Sequence, residues 1–157
     1  MGAVALVLSF AENMLMPQVI FLPPGAKPGL SNIVTMFASS VMGFYAMIYI
    51  VVIKAVFAFI TRGATAFFMS LAGGLLSGLT MTVLIKMNSK KISLVGIGVI
   101  SACAHNMGQL AVSCVITGTS ALLNYAPFLL IFGVVTGIVT GTVLKVVLPK
   151  IESAVKP

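Results

Sequence analysis

The chain has 157 residues, of which 60% are hydrophobic and only 7% charged, and its mean hydropathy is +1.21. A soluble domain carries about 25% charged residues, so this composition excludes a water-soluble globular protein. The formal net charge of +7 either sets the orientation of a membrane protein or contributes to a site for an anion, and we expect residues 1–157 to form a single integral-membrane helical domain.

The first part of the chain predicts three helices. An apolar run from Gly2 to Leu22 contains Glu12 and ends at PPGAKPG, the densest cluster of helix breakers. The next apolar run, residues 30–60, would be about 46 Å long as one helix, whereas the hydrocarbon core of a bilayer is about 30 Å thick. Gly43 is a natural break, so we predict two short or tilted helices over residues 30–42 and 44–60.

The second part predicts three full-length spans, over residues 64–85, 92–116 and 121–144. In GVVTGIVTG, residues 133–141, glycine recurs every four residues on one helix face, and Gly74 and Gly78 repeat this spacing once. Small residues of this kind let helices approach closely in lipid. We expect these faces to pack inside the bundle, the alternative being an interface with a partner subunit. The predicted fold class is therefore an all-α membrane protein, a bundle of six transmembrane helices.

The basic residues predict the orientation. Three lysines lie in the loop at residues 86–91 and three more follow residue 144. Two helices separate these regions, so both lie on one side, which the positive-inside rule assigns to the cytoplasm. With six spans in a bacterial plasma membrane, both termini are then cytoplasmic. A five-span arrangement would move Lys27 to the cytoplasmic side, and charge alone does not distinguish the two.

The segment SACAHNMGQLAVS, residues 101–113, contains the only histidine of the chain. On a helix, Ser101, His105 and Gln109 line one face, and Asn106 lies about 100° further around the axis. Polar groups at membrane depth usually face the bundle interior or a wet cavity. The cluster either binds a ligand or hydrogen-bonds neighbouring helices. We favour a ligand, because three such groups cluster where one would suffice to join helices.

Lys54 is the second unusual residue. It either extends towards the membrane surface or points inward, where Glu12 is the only acid able to pair with it inside the membrane. In the second case, Arg62 and Lys27 lie above it on the outer face. Lys27, Lys54, Arg62 and His105 would then surround a small anion, with directional hydrogen bonds from Asn32, Asn106 and Gln109.

The residue inventory argues against the common enzyme sites. One histidine, two cysteines on one helix and no aspartate provide no plausible zinc or di-metal site. The sequence also lacks a phosphate-binding loop, a nucleophile elbow and a dinucleotide-binding fingerprint. We expect no enzymatic activity, no metal, no cofactor and no nucleic-acid partner. If ATP drives transport here, another subunit must supply it.

Four segments carry a resemblance to a known family: AEN followed by a proline in the first helix, PPGAKPGLSNIVT, SLAGGLLSGLTM and SACAHNMGQL. Over nearly the whole chain they resemble heptaprenyl diphosphate synthase component I, also called Gx transporters. Members are similar to the substrate-binding S components of energy-coupling-factor (ECF) transporters. The resemblance implies six helices, an outward-facing site, and a complex with a transmembrane coupling subunit and two ATPases.

The chain departs from this family in three places, the mildest of which is Ser31 in KPGLSN, where members usually carry alanine. Members usually carry arginine where Lys54 stands, and lysine keeps the charge but loses the bidentate fork. The first helix also lacks a clear pair of small residues four apart, which S components use to dock; Ala5 and Ser9 are the nearest candidates. The family's older name implies a synthase subunit. Prenyl-chain elongation uses magnesium held by aspartates, however, and this chain has none.

The leading interpretation is the substrate-binding membrane subunit of an ECF-type, ATP-driven importer. Its ligand would be a small polar or anionic metabolite, vitamin-like or an isoprenoid-related precursor. The alternative is a non-catalytic accessory membrane subunit in isoprenoid or quinone metabolism, whose polar cluster only joins helices. A third interpretation is an anion channel. In each case the chain is surrounded by membrane lipid.

Overall fold

The computed structural model describes residues 2–15, 32–87 and 92–155, and these residues are almost entirely helical. The helices are α1 (Gly2–Leu15), α2 (Asn32–Phe37), α3 (Phe44–Arg62), α4 (Ala64–Lys86), α5 (Leu94–Thr117) and α6 (Ala126–Val155). A π-helical turn, Ala38–Met42, follows α2, and a short 3₁₀ helix, Ser120–Tyr125, precedes α6. The predicted all-α bundle is confirmed.

Four helical stretches in the described part of the chain are long and apolar enough to cross a membrane. They are α3, α4, α5 and the stretch Ser120–Pro149, whereas Asn32–Met42 is a shorter apolar helix. Their lipid-facing sides carry large apolar residues that are strongly exposed, such as Ile60 and Val115. These helices identify the chain as a membrane protein.

Glycines make the sharp turns of the chain. Gly43 (φ +88°) and Gly63 (φ +87°) adopt backbone angles that L side chains rarely tolerate. The predicted break at Gly43 is confirmed, because α3 begins at the next residue. The predicted turn over residues 61–63 is shorter than expected. Thr61 and Arg62 remain helical and Gly63 alone joins α3 to α4, because its backbone N–H still closes the last helical turn on Phe59 O at 2.9 Å.

The last helix differs more from its prediction. The chain first forms the 3₁₀ helix, where Thr119 Oγ1 accepts a hydrogen bond from Ala121 N at 3.2 Å. The α-helix then starts at Ala126 and continues to Val155, with Pro149 inside it. The predicted span ended at Leu144, ahead of Lys145. A charge at the membrane surface does not break backbone hydrogen bonds, and Pro149 removes only one donor.

Glycine contacts hold α5 against α6. A Cβ atom added to Gly98 would lie 2.7 Å from Gly137 O, and one added to Gly141 would lie 2.7 Å from Val95 Cα. The two backbones therefore touch, which only glycine permits at these positions. Gly74 likewise packs against Val51 of α3. The prediction that these glycine faces pack inside the bundle is confirmed.

The antiparallel order of α3 to α6 gives the bundle two ends. We call them the Gly43 end, where α4 also stops at Lys86, and the Gly63 end, where α5 stops. Near the Gly43 end, a cluster of buried residues fills the interior, and we call it the apolar plug: Met36, Phe37, Met81, Ile97 and Leu144. The exposed Lys86 and Lys145 lie at this same end.

We expect Gly137→Val to weaken the contact between α5 and α6. A Cβ atom at Gly137 would collide with Val99 Cα, and overpacking of this kind costs about 2 kcal/mol. The free energy of unfolding, measured by circular dichroism during denaturant titration in micelles, should fall accordingly. Val139→Leu is the matched control, because Val139 is exposed on α6 and should shift stability by less than about 0.5 kcal/mol. Equal effects of the two changes would contradict this packing.

Candidate functional site

Lys54 lies inside the bundle. Its side chain is only 5% exposed, and Nζ donates hydrogen bonds to Asn32 Oδ1 at 3.0 Å and to Thr35 Oγ1 at 3.3 Å. Of the two orientations considered from the sequence, Lys54 therefore adopts the inward one and does not extend to the membrane surface. An ammonium group at this depth needs such partners, because an unsolvated charge in an apolar interior is costly.

Helix α2 supplies both oxygens that hold Lys54. Asn32 and Thr35 are three residues apart, so they lie on one face of the helix, and their side chains are 3% and 1% exposed. The sequence identified Asn32 but missed Thr35. The sequence did contain a signal for Thr35. It is a polar residue three positions after Asn32, and residues three apart on a helix lie side by side.

His105 and Gln109 form a second polar pair, on α5. Gln109 Nε2 lies 3.1 Å from His105 Nε2. The direction of this hydrogen bond depends on the tautomer of the imidazole. Both side chains are at most 5% exposed. The pair is spaced by four residues, as the sequence predicted from helical periodicity.

The same stripe of α5 faces α4. Ser101 Oγ lies 3.9 Å from Met81 Sδ, and Ser113 Oγ lies 3.5 Å from Met69 Sδ. These long contacts to sulfur are weak hydrogen bonds. The strongly polar part of the stripe is therefore limited to His105 and Gln109, with a serine one turn beyond each of them.

Asn106 faces a different neighbour. Its Nδ2 donates to Leu129 O of α6 at 2.7 Å, and its side chain is 2% exposed. Oδ1 is buried and has no hydrogen-bond partner among the described residues. This placement agrees with the 100° offset from His105 on the helical wheel. The structure thus separates Asn106 from the His105–Gln109 pair and uses its amide to join α5 to α6.

Two adjacent glycines of α4 relate Lys54 to His105. A Cβ atom on Gly73 would lie 2.9 Å from His105 Cε1 and Nδ1, and one on Gly74 would lie 2.8 Å from Val51 Cγ1. Val51 precedes Lys54 by about one helical turn on α3. Lys54 and His105 therefore belong to helices that contact the same turn of α4, at similar depth in the bundle.

The remaining predicted site residues either lie further from Lys54 or fall outside the residues that the structure describes. Arg62 is half-buried at the Gly63 end of α3, eight residues and about 12 Å along the helix from Lys54. Lys27 lies outside the described residues, and so does the side chain of Glu12. The predicted ring of cations and the Glu12–Lys54 pair stay predictions.

The small pair predicted for docking lies inside the protein. Ala5 is 0% exposed and Ser9 is 4% exposed, and Ala5 packs in a cluster with Val34, Ala38 and Ile50. A buried pair presents no surface to another subunit. The expectation that Ala5 and Ser9 form a docking motif does not fit this packing.

The chemistry available to these groups is binding through hydrogen bonds and charge. One ammonium group, one imidazole and one amide offer donors and acceptors in an apolar bundle. Among the described residues, no three of His, Cys, Asp and Glu come together to hold a metal ion. The arrangement therefore suits recognition of a small polar molecule.

A separate apolar groove of about 530 Å³ lies on the lipid-facing side of α4 and α5. It is lined by Phe68, Leu71, Ala72, Leu75, Ala111, Val112, Val115 and Ile116. Close packing divides it from the polar groups, since a Cβ atom on Gly108 would lie 3.0 Å from Ala72 O. The groove and the polar groups are distinct surfaces.

We expect a double-mutant cycle to measure a coupling energy between Lys54 and Asn32. Asn32→Leu leaves a buried ammonium short of an acceptor, and should lower the free energy of unfolding by about 2 kcal/mol. Adding Lys54→Met should recover most of this loss, giving a coupling of about 1–2 kcal/mol in denaturant titrations. Val52→Met, at a lipid-exposed position of α3, is the control and should combine additively with Asn32→Leu. If the effects of Asn32→Leu and Lys54→Met on the free energy of unfolding are also additive, the two side chains do not interact.

Comparison with known proteins gives one match. The family model described as heptaprenyl diphosphate synthase component I matches residues 1–147. No curated protein and no solved structure matches the chain. The match covers nearly all of the chain, including every polar group described above. The chain therefore belongs to the heptaprenyl diphosphate synthase component I family.

Proposed function

We propose that the protein is the substrate-binding membrane subunit of an ECF-type, ATP-driven importer, and that its ligand is a small polar or anionic metabolite. The observation that carries this proposal is Lys54, an ammonium group buried in a membrane bundle between two neutral oxygens of α2. Ionisable residues in this setting are costly to keep and usually belong to a functional site.

The oxygens around Lys54 support a role in binding. Asn32 and Thr35 contribute no charge, so they orient the ammonium group through hydrogen bonds to neutral oxygens. A ligand carboxylate or phosphate oxygen is a stronger acceptor than either, because hydrogen bonds between charged groups are about twice as strong. An arriving anion would therefore displace part of this hydrogen bonding and bind Lys54 directly.

His105 and Gln109 would recognise the neutral part of the ligand. Their mutual hydrogen bond fixes the imidazole and the amide, and pre-arranged polar groups bind a ligand with less loss of entropy. We assign to Arg62 the attraction of an anion at the Gly63 end, and Lys27 keeps its proposed role in binding the anion. Asn106 keeps a proposed binding role only through Oδ1, since its amide nitrogen is bound to α6.

The apolar plug favours a binding protein over a channel. Met36, Phe37 and Met81 are at most 6% exposed and pack beneath the polar groups, towards the Gly43 end. A pore would need a continuous polar or hydrated path. We infer that the ligand enters from the Gly63 end and that transport requires movement of the bundle itself.

The lysines support the same orientation. Lys86 and Lys145 are exposed at the Gly43 end, and the positive-inside rule would place this end in the cytoplasm of a bacterial cell. The Gly63 end then faces outward, with both termini inside. The chain has no phosphate-binding loop, so a coupling subunit and an ATPase pair would supply the energy.

We expect native mass spectrometry of the purified protein to detect a retained small molecule. Lys54→Ala and His105→Ala should each lower its occupancy by about tenfold, because each removes a hydrogen bond to a charged or polar group. Met107→Ala is the control on α5, since Met107 is 37% exposed and faces away from the polar stripe. Normal occupancy in both site variants would refute the assignment.

A second function is favoured by two observations. The family description names a component of a prenyl diphosphate synthase, and the groove on α4 and α5 is apolar and large enough for part of an isoprenoid chain. In this reading the protein is a non-catalytic accessory subunit of isoprenoid or quinone metabolism. It would hold a prenyl chain in the groove while a partner carries out the chemistry.

Affinity purification from native membranes should separate the two functions. The importer predicts that a coupling subunit and two ATPases co-purify, and that Ala111→Phe, which fills the groove, leaves this complex intact. The accessory role predicts that a prenyl synthase subunit co-purifies instead. Val139→Phe, on the exposed face of α6, controls for a bulky residue facing lipid. Retention of the synthase without any ATPase would overturn the importer.

A further inference from the structure

The segment SLAGG, residues 70–74, contains two adjacent glycines, Gly73 and Gly74. On an α-helix, adjacent residues point about 100° apart, so Gly73 and Gly74 face different neighbours. Gly73 faces α5 and Gly74 faces α3. We call this pair the diglycine step. It is the place where α3 and α5 both come close to one turn of α4.

The contact at Gly73 leaves no room for a side chain. A Cβ atom there would lie 2.9 Å from His105 Cε1, Nδ1 and the backbone oxygen of His105. The ring is already fixed on its other edge by Gln109. Because a backbone oxygen cannot rotate away as a side chain can, an alanine at Gly73 would displace α5 at His105.

The contact at Gly74 acts in the same way on α3. A Cβ atom there would lie 2.8 Å from Val51 Cγ1 and 3.2 Å from Val51 Cγ2. Val51 is 1% exposed, so it has little space in which to move. An alanine at Gly74 would therefore push α3 outward about one turn before Lys54.

Helix propensity does not explain these glycines. Alanine is the best helix former and glycine one of the worst, so a structural preference for α4 alone would select alanine at both positions. Close approach is the remaining physical reason, and here it acts on the helices that carry the ammonium group and the imidazole.

We propose that Gly73 and Gly74 are positioning residues, which set the separation of Lys54 and His105 and thereby the size of the ligand that both can contact. This inference rests on the proposed binding function. It assigns to the diglycine step a role beyond packing, because the step determines how closely the helices that carry Lys54 and His105 approach α4.

The single histidine of the chain provides a readout that does not depend on any ligand. With ¹⁵N-histidine labelling of the full chain in lipid nanodiscs, the only imidazole signals come from His105. We expect Gly73→Ala to change these signals in the same direction as Gln109→Leu, which frees the ring edge. Leu79→Ala is the control on the same helix, because Leu79 is 42% exposed, and it should leave the imidazole signals unchanged.

Rescue provides the second test. We expect Gly74→Ala to lower the native-mass-spectrometry occupancy of the co-purified molecule by about tenfold through displacement of Lys54. Val51→Ala removes the colliding methyl groups and should restore occupancy in the double variant. This pair keeps the proposal testable if Gly73→Ala does not fold.

The outcomes separate this inference from the proposed function. If Lys54→Ala and His105→Ala lower occupancy but Gly73→Ala and Gly74→Ala change neither occupancy nor the imidazole signals, the positioning role is overturned and binding stands. If Gly74→Ala lowers occupancy and Val51→Ala fails to restore it, the loss comes from general packing and the positioning role is also overturned. If Lys54→Ala and His105→Ala keep full occupancy, the binding function itself fails.

Discussion

Direct contact between helix backbones is the constraint on which the rest of this bundle depends. In lipid, apolar side chains gain little by leaving their surroundings, so helices associate through close packing and hydrogen bonds. The α5–α6 interface meets this requirement with Gly98, Gly137 and Gly141, and α4 does so towards both of its neighbours. Once these backbones touch, the depth of every other side chain on α3 to α6 is fixed, and so is the neighbouring helix or lipid that it faces.

The polar groups depend on that frame in different ways. Lys54 hydrogen-bonds to α2, a helix of only six residues followed by a π-helical turn, whereas His105 hydrogen-bonds to Gln109 of α5 itself. The ammonium group is thus joined to a short element and the imidazole to a long one. A change in α2 would therefore alter the surroundings of Lys54 while leaving the hydrogen bond between His105 and Gln109 in place.

Much of this architecture follows from local sequence patterns. The break at Gly43, the glycine faces and the shared face of His105 and Gln109 all depend on periodicity or on one residue's backbone freedom, which a sequence displays directly. The neighbours of a side chain depend on helix rotation in three dimensions. Helical periodicity placed Asn106 away from His105, but it did not show that α6 would take up its amide. Thr35 was missed for a related reason, since a threonine in an apolar helix is common and gains significance only when Lys54 lies opposite. The predicted end of α6 was wrong because a charge at the membrane surface does not interrupt backbone hydrogen bonding, so the helix continues past Lys145.

The single-residue turn at Gly63 also bears on how the chain enters the bilayer. Between them, α3 and α4 form a hairpin whose tip carries Arg62 as its one charged side chain, flanked by threonines. If the Gly63 end faces outward, as we propose, biogenesis moves only one guanidinium group and a few hydroxyls across the hydrocarbon. Translocon measurements put a charge at the centre of a helix, which is the position of Lys54 in α3, at about 2.5–3.5 kcal/mol, and the apolar residues of the two helices offset this cost. The hairpin can therefore insert as a unit, before α5 and α6 have been synthesised to pack against it.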